Sequence, residues 1–363
     1  MKPFFYDNVN TGHHPGYIAG IVEAAERAGL PFVVGSVERP STLLTQAWIP
    51  VEESGPRQFL ATRRRLRRAS HRAGEMGADV LLDLYLDKQI WAAGGARAGL
   101  GETVHVLHHA EQYSPARRWA AAIRTVYLRR TLRGLADRGA PVIVHTARAA
   151  ELISNLVPKD LIVMAGYPVV PLPERTRHSP STPTRLLFVG AGRQEKGLDL
   201  LLDALSILPA DSAILRVVGR QPENLRSALT SRFPSAPVEW VDDYVDYPTL
   251  IAEYQSADLA VLPYRTVFSR HGGPSSVLLE TLSAGLPVIT TTALADQLPP
   301  DYAGARVAAA DSAEALAEGL GAALSNVSAL IASAGRSGPE FIATHHSYDA
   351  YLKHLLSAAA MVR

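Results

Sequence analysis

The chain has 363 residues, 47% of them apolar and 20% charged, a length and balance that predict a globular α/β protein of two domains. It has no cysteine, which excludes disulfides and thiolate metal sites, and no apolar run reaches the ~18 residues of a membrane-spanning helix. The N-terminus lacks the apolar core of a signal peptide, so we expect a soluble, cytoplasmic protein.

The first half of the chain alternates short apolar runs with segments of helical pattern. Six of the runs are strand-like: residues 4–6, 31–37, 78–86, 102–110, 141–145 and 161–165. Helices are predicted between them at 17–28, 58–74, 114–138 and 147–156. Strands that alternate with helices in this way predict a parallel, doubly wound sheet.

The proline-rich segment 168–183 predicts an extended linker, and a second alternation begins after it. Its predicted strands are 185–190, 213–219, 238–241, 257–263, 287–292 and 306–309, and its predicted helices are 197–208, 223–233, 248–256, 276–284, 312–334 and 347–360. We therefore predict an N-terminal domain over residues 1–172, a C-terminal domain over 184–345, and a final helical segment over 346–363.

The most informative stretch, residues 264–292, follows a strand-like run. A glycine-proline turn leads into Ser275 and Ser276, each a good helix N-cap, and the helix that follows ends at Gly285. This order presents a helix N-terminus at the carboxyl end of a strand, where open α/β sheets bind anions. Glu280 lies one turn into the helix and can accept hydrogen bonds from a ribose diol. Phosphate on the amides and a diol on the carboxylate together describe a nucleotide.

This stretch resembles the donor-binding element of nucleotide-sugar glycosyltransferases with the GT-B architecture, and most of all family four (glycosyl transferases group 1), the retaining group. The resemblance implies two Rossmann-like domains that face a cleft, with a C-terminal helix crossing back to the first domain. Members usually carry two glutamates eight positions apart across the turn. In this sequence the second of these is Glu280, whereas the first position is Gly272.

The same resemblance implies that the second half binds the donor. Residues 190–197 are similar to the family's diphosphate-clamping signature and supply two cations, Lys196 and Arg193, although the usual arginine position is Ala191. The residues implied to hold the nucleotide are Gly190, Arg220, Val241, Gly273, Ser275, Ser276, Val277 and Glu280. Taken alone, a lysine that opens a helix is more often a solvated surface residue.

Two parts of the first half are implied to contribute to the site. A family histidine at the end of a first-domain strand contacts the donor sugar, and His109 occupies that position as a third candidate catalytic residue. Strand alternation separates it from His108, which argues against a zinc site there. The residues implied to face the acceptor are Gly12, His13, His14 and Gly16, for which the alternative is an exposed polar turn.

Charge is distributed unevenly along the chain. Residues 1–172 hold 21 basic and 15 acidic side chains and the remainder 15 and 20, which suggests an anionic partner for the first half or simple scatter of charge. Arginines mix with apolar residues at 63–72 and 117–138, and membrane-attached family members use such helices to reach lipid acceptors. We favour the alternative that both helices cover the sheet and turn a basic face outward. No nucleic-acid motif accompanies these arginines.

These patterns and the resemblance predict a retaining, metal-independent glycosyltransferase of the EC 2.4 hexosyl or N-acetylhexosaminyl type. It would move a sugar from a nucleoside diphosphate, with UDP favoured, to the hydroxyl of a small-molecule, glycan or lipid-linked acceptor, and would need no cofactor. The leaving diphosphate would be stabilised by Lys196, Arg193 and the amides of residues 275–277. The alternative is a catalytically silent nucleotide-sugar or glycan-binding subunit that partners an active transferase, as Gly272 and Ala191 suggest.

Overall fold

The computed structural model describes residues 1–362 except 11–13, 42, 44–46, 54–58, 94–99, 112–117, 174, 176–178, 210, 234–236 and 242–244. The chain divides into two compact units. The first unit consists of Met1–Pro168, His271–Pro274 and Ser347–Arg363, and the second of Val169–Arg270 and Ser275–His346. Both the short segment His271–Pro274 and the C-terminal helix therefore belong to the first unit.

The first unit is built on a parallel sheet. Its strands are Pro3–Asp7 (β1), Val33–Ser36 (β2), Trp48–Pro50 (β3), Val80–Asp83 (β4), Glu102–Leu107 (β5), Val142–Val144 (β6) and Ile162–Met164 (β7). They lie in the order β3-β2-β1-β4-β5-β6-β7, and every pairing is parallel. The direction of winding reverses between β1 and β4, and ligands of open α/β sheets bind beyond the carboxyl ends of the strands at such a point.

The helices of this unit connect the strands. They are His14–Arg27 (α1), Phe59–Glu75 (α2), Leu86–Ala93 (α3), Arg118–Ala136 (α4) and Ala147–Ile153 (α5). The α4 helix buries Leu128, Leu132 and Leu135 against the sheet in one apolar cluster, and α2 buries Leu66 and Ala69 in another. Each helix thus turns an apolar stripe towards the strands, as the amphipathic pattern predicts.

The second unit is a smaller version of the same arrangement. Its strands are Thr184–Val189 (β8), Ala213–Val218 (β9), Val238–Val241 (β10), Leu259–Leu262 (β11), Val288–Thr291 (β12) and Ala305–Ala308 (β13). Its helices are Leu198–Ile207 (α6), Glu223–Arg232 (α7), Tyr247–Ser256 (α8), Thr266–Ser269 (α9), Ser276–Ser283 (α10), Ala313–Leu324 (α11) and Val327–His345 (α12). The strand order β10-β9-β8-β11-β12-β13 is again parallel, and the winding reverses between β8 and β11.

The final helix, Tyr348–Met361 (α13), packs on α1 and belongs to the first unit. The Tyr351 hydroxyl lies 2.6 Å from the hydroxyl of Tyr17, and both side chains are buried. Ser347 caps the helix by accepting a hydrogen bond from the amide of Ala350. The predicted fold class of two doubly wound domains with a C-terminal helix that returns to the first is therefore confirmed.

Three details of the predicted elements are wrong. The run 78–86 is not one strand, because β4 ends at Asp83, whose carboxylate accepts from the amide of Tyr85 and turns the chain into α3. The single helix predicted at 312–334 is two helices, since α11 ends at Leu324 and α12 begins at Val327. The short elements β3, α3 and α9 were not predicted at all.

Among the described residues no single helix combines the length and apolar content needed to cross a bilayer. The bent pair Ala313–Leu324 and Val327–Met361, which turns through 88°, meets that criterion only jointly.

Candidate functional site

In the second unit, two loops meet where the winding of the sheet reverses. The loop after β8 is bonded to the chain after β11, because the amide of Arg265 donates to the carbonyl oxygen of Glu195 at 2.9 Å. Gly197 makes this approach possible, since it has φ 69° and an added Cβ would collide with the carbonyl oxygen of Pro263. The two loops form a backbone-lined floor at the carboxyl edge of the sheet.

Lys196 is the most buried cation of this floor. Its residue is 6% exposed, and Nζ lies 5.3 Å from the ring centroid of Tyr264. The side chain covers Gly190, whose φ is 143° and at which an added Cβ would overlap Nζ. Within the part of the chain that the structure describes, no carboxylate lies at ion-pair distance from Nζ. A buried ammonium with no counter-ion is costly, so this position favours an anionic ligand.

Glu280 lies close enough to this cation for the charge of Lys196 to act on its carboxylate. It lies partly buried on α10, and its Oε2 accepts a hydrogen bond of 3.0 Å from the hydroxyl of Tyr254, a side chain 1% exposed. Burial raises the pKa of Glu280 above its usual range, while the Tyr254 hydrogen bond and the charge of Lys196 act in the opposite direction. The phenol fixes one carboxylate oxygen in place, which prepares the group to receive hydroxyl donors.

The N-terminus of α10 offers fewer amides than the sequence predicts. Ser275 is the N-cap, and its Oγ accepts from the amide of Leu278 while its own amide donates to Oε1 of Gln297 at 2.8 Å. The amides of Ser276 and Val277 have no acceptor within the described ranges, and Ser276 is exposed. Ser275 therefore holds the helix end in place, and the next two amides remain as donors for an anion.

The other predicted donor residues lie at the edges of this site. Arg193 is 60% exposed in its side chain and pairs with Glu195 at 3.3 Å, so its charge is already partly used. Arg220 is exposed beyond the end of β9, and Val241 is the partly buried last residue of β10. Of the residues that follow it, 242–244 lie outside the described residues.

Gly273, predicted as a donor residue, belongs to the first unit. Its amide donates to Nδ1 of His271 at 3.1 Å and so is already used within the first unit, and its role in nucleotide binding stays a prediction. The neighbouring Gly272 has φ 66°, and an added Cβ would lie 2.9 Å from the Cα of Ala149. The hydroxyl of Thr146 donates to the Gly272 carbonyl oxygen at 2.6 Å. The position of the family's first glutamate is therefore filled by backbone, and no side chain fits there.

In the first unit, His109 follows β5 at its carboxyl end. Its Nδ1 lies 3.1 Å from Oδ1 of Asp87, and its side chain is 41% exposed. Asp87 also accepts from the backbone amides of His108 and His109 at 2.9 and 3.0 Å. His109 is thus a reachable imidazole whose orientation is set by a buried carboxylate.

The predicted acceptor loop is only partly described. Gly12 and His13 lie outside the described residues. His14 is buried at the start of α1 and bonded through Nδ1 to Oδ2 of Asp7 at 2.8 Å, so neither an acceptor-facing role nor an exposed turn suits it. Gly16 is exposed on α1. Among the described residues, no three His, Asp or Glu side chains converge in a way that could hold a metal ion.

Comparison with known proteins finds a family match in the second half of the chain. Residues 183–326, which include the Lys196 loop and Glu280, match the family model described as glycosyl transferases group 1. The chain carries a glycosyl transferases group 1 domain. A curated relative, the GDP-mannose:glycolipid 4-beta-D-mannosyltransferase of Xanthomonas campestris pv. campestris, is 30% identical over 131 residues. That match covers 34% of this chain and 36% of the relative, so the chain spans about a third of the curated relative's length.

Solved structures resemble the whole chain and not only its group 1 domain. Sucrose-phosphate synthase from Thermosynechococcus elongatus aligns with a TM-score of 0.72 at 17% identity, covering 100% of this chain and 99% of that one. Anabaena HepE in complex with UDP aligns with a TM-score of 0.68 at 14% identity, covering 99% and 100%. At these identities the likeness establishes the fold, which is GT-B, as the resemblance implied.

Two residues of the group 1 domain and one of the first unit were missed from the sequence. Tyr254 orients Glu280, Tyr264 lies beneath Lys196, and Asp87 orients His109. Asp87 had a local signal, an acidic residue in the first turn of a helix, but that helix was not predicted, because its first residue, Leu86, was assigned to the strand predicted at 78–86. The two tyrosines had no local signal in the sequence, because each acts through a contact that exists only in the folded chain.

Proposed function

We propose that the protein is a glycosyltransferase that takes its sugar from a nucleoside diphosphate bound by the group 1 domain. The observation that carries the proposal is the buried Lys196, which has no counter-ion in the described chain and lies close to the partly buried Glu280. The lysine and the amides of Ser276 and Val277 suit a diphosphate, and the carboxylate suits a ribose diol. The alternative that Lys196 is a solvated surface residue does not explain why this side chain is buried.

The experiment that tests this is an assay of nucleoside diphosphate release across UDP-, GDP-, ADP- and dTDP-sugars, read beside the thermal shift each nucleotide produces. We expect one base to raise the melting temperature and its sugar to be consumed, because a ligand that binds only the folded state stabilises it by mass action. We favour UDP, and GDP is the main competitor because the curated relative's name specifies GDP-mannose. Binding without release or transfer would support the silent-subunit alternative, and no binding would reject the donor site.

We propose catalysis without a metal ion, with Lys196 and the helix amides carrying the charge of the leaving diphosphate. A chelator should then leave the rate unchanged. The stereochemistry that the family resemblance implies is retention, in which the departing phosphate takes the acceptor proton. The anomeric configuration of the product tests this expectation.

We further propose a lipid-linked acceptor reached from an anionic bilayer surface on the cytoplasmic side. On α4, Ile123, Val126 and Tyr127 are 46%, 66% and 43% exposed, on the face away from the buried leucines of the same helix. Exposed Arg130 and Arg133 continue that face one and two turns later. Apolar side chains flanked by arginines fit the interface of anionic lipid. The α2 helix differs, since Leu66, Ala69 and Ala73 are buried and its described exposed face is basic.

The double variant Arg130→Ala and Arg133→Ala should weaken binding to phosphatidylglycerol-containing vesicles by about 30-fold, since each basic residue contributes about 1 kcal/mol near such a surface. Val126→Glu should also detach the protein, whereas Val307→Glu, at a residue 46% exposed in the second unit, serves as the matched control. Co-sedimentation with vesicles measures the membrane binding of each variant. Equal binding of all variants, or equal binding to neutral phosphatidylcholine vesicles, would contradict this assignment and leave α4 as a site for a protein partner.

A further inference from the structure

A cavity of about 400 Å³ lies in the second unit, between the C-terminal end of α8 and the first residues of β8, β9 and β10. It is lined on the sheet side by Arg185, Ile214 and Glu239, each the second residue of its strand. The donor site of the same unit lies at the opposite, carboxyl edge of this sheet. The cavity is therefore separate from the donor site, and its volume is that of a small-molecule site.

The sheet face that borders this cavity is charged where a parallel sheet is normally apolar. Strand alternation places Phe188 and Leu215 on the other face, where both are buried in the apolar cluster that α6 and α11 complete. On the cavity face, Arg216 of β9 lies in register with Glu239 of β10, and their side chains are 39% and 57% exposed. The end of this face is therefore open to solvent beside α8.

The guanidinium of Arg216 is already fully engaged by two carboxylates. Its Nε and Nη2 donate to the two oxygens of Glu253 at 2.9 and 2.8 Å, and its Nη1 donates to Oε2 of Glu239 at 3.1 Å. The Glu253 side chain is 9% exposed and has both oxygens occupied. Glu239 differs, because its second oxygen has no hydrogen-bond donor among the described residues and is left as an acceptor for a ligand.

Arg185 supplies the cation of the cavity. Its backbone amide donates to Oδ2 of Asp258 at 2.9 Å, which anchors the start of β8. Within the described parts of the chain, its exposed guanidinium makes no hydrogen bond and no ion pair. Because β9 lies between the strands of Arg185 and Glu239, those two strands are about 10 Å apart. A ligand that reaches both side chains carries an anion at one end and a hydrogen-bond donor at the other.

A hydroxylated anion fits these two ends better than a zwitterion does. The planar guanidinium of Arg185 can bind a phosphate or a carboxylate through two parallel hydrogen bonds. The charge of Glu239 is already paired with Arg216, so its second oxygen suits a neutral hydroxyl donor and not a second ammonium group. A short polyol chain that ends in a phosphate or a carboxylate meets both requirements.

The helix that borders the cavity also borders the donor site. Glu253 pairs with the cavity arginine of β9, and the next residue of α8, Tyr254, donates to the carboxylate of Glu280 at 3.0 Å. We propose that this cavity is a regulatory site for a polyol phosphate or polyol carboxylate, bound by Arg185 and Glu239 and sensed at Glu280 through α8. The regulatory role rests on the proposed donor site, whereas binding to the cavity does not.

Calorimetry with sorbitol 6-phosphate and with gluconate tests the site and distinguishes the two anionic groups, with sorbitol as the neutral comparison. We expect at least one of the anions to bind the wild type and sorbitol not to bind. Arg185→Ala should weaken binding by about 10- to 100-fold, because a hydrogen-bonded charge pair is lost. Arg336→Ala, at an exposed arginine of α12 in the same unit, is the matched control, and Lys196→Ala should also bind as the wild type does.

Glu239→Ala separates the hydroxyl contact from the anion contact. It should bind inorganic phosphate at least as tightly as the wild type, because a nearby negative charge is removed, but it should lose the extra affinity that the polyol chain gives. The two ligands and two proteins form a cycle that isolates the contact between Glu239 and the hydroxyl groups. Tighter binding of the zwitterion serine than of either polyol anion would overturn the assigned ligand class.

The regulatory role is tested by titrating UDP, or the preferred nucleotide, with and without a saturating concentration of the polyol anion that binds. We expect nucleotide affinity to change by about fivefold or more in the wild type, the lower end of typical coupling between sites, and not to change in Arg185→Ala. Unchanged nucleotide affinity in the wild type would overturn the regulatory role.

The remaining outcomes separate this site from the proposed function. No binding of either polyol anion, or binding that survives Arg185→Ala and is lost in Lys196→Ala, would overturn the site while the donor assignment stands. A wild type that binds no nucleotide would reject the proposed function and the regulatory role, and the direct titrations with sorbitol 6-phosphate and gluconate would still decide whether the cavity is a binding site.

Discussion

Replacing Lys196 with alanine is expected to lower kcat/KM by about 10²–10³-fold, the usual cost of removing one preorganised group that stabilises a developing charge. The departing diphosphate gains negative charge as its bond to the sugar breaks. Lys196 meets that charge from a position 6% exposed, where water screens it poorly. Most of the loss should appear in kcat, because the interaction strengthens as the charge develops.

The stability of the variant distinguishes a ligand site from a structural lysine. In the described chain Nζ has no counter-ion, so truncating the side chain removes a buried charge along with its packing against Tyr264. The melting temperature without ligand should stay close to that of the wild type, while the rise produced by UDP or the preferred nucleotide should shrink. A structural lysine would give the reverse pattern, a lower melting temperature with an intact ligand response.

Two other cations serve as comparisons. Lys159→Ala, at an exposed lysine of the first unit, should behave as the wild type. Arg193→Ala should cost about fivefold or less, because Arg193 is 60% exposed and already paired with Glu195, and exposed pairs contribute up to about 1 kcal/mol. If Lys196→Ala turned over at the wild-type rate, the assignment of the phosphate clamp would be wrong.

Sequence periodicity predicted both sheets because the strands of a parallel sheet are buried on both faces and therefore appear as uninterrupted apolar runs. The same reasoning explains what was missed. The strand Trp48–Pro50 is three residues long and lies at the edge of its sheet, so it has no such run. Likewise the helix Leu86–Ala93 begins three residues after β4 ends at Asp83, so its first residue was assigned to the predicted strand and the helix was missed.

The candidate residues that have a local sequence signal could be proposed from the sequence, whereas those that depend on tertiary contacts could not. Lys196, Glu280 and the start of α10 were all predicted, since a lysine in a glycine loop and serines before a helix have local meaning. The hydrogen bond of the Ser275 amide was not predicted, because its acceptor is the side chain of Gln297, 22 residues later. Gly272 shows the same limit, since only the fold reveals that Ala149 leaves no space for a side chain there.

Glu280→Gln is expected to weaken binding of UDP, or of the preferred nucleotide, by about 10- to 100-fold. A hydrogen bond to a charged group contributes about 1.5–3 kcal/mol, and the amide offers one acceptor oxygen in place of a carboxylate. The loss should be much smaller for the matching 2′,3′-dideoxy nucleotide, which has no diol to donate. Calorimetry with the two nucleotides and two proteins forms a cycle that isolates the contact between carboxylate and diol.

The raised pKa of Glu280 predicts opposite effects of pH on the stability of the free protein and on its affinity for nucleotide. Between the ordinary pKa and the raised one, the folded protein binds more protons than the unfolded chain, so the contribution of Glu280 to stability is present at low pH and lost as pH rises through the raised pKa. Nucleotide affinity should move the other way, because the diol needs the ionised carboxylate. Acidification should therefore stabilise the free protein slightly while it weakens binding, and Glu280→Gln should lose both trends.

Tyr254→Phe tests the same group without touching the ligand. Its hydroxyl donates to Oε2 of Glu280 and holds the pKa of that carboxyl lower than burial alone would. Removing the hydroxyl should shift the loss of nucleotide affinity to higher pH and leave the affinity at alkaline pH nearly intact, since the carboxylate is then ionised in both proteins. Equal weakening at every pH would instead mean that Tyr254 supports the shape of the site, and an equal loss for the dideoxy nucleotide in Glu280→Gln would remove the ribose from the assignment.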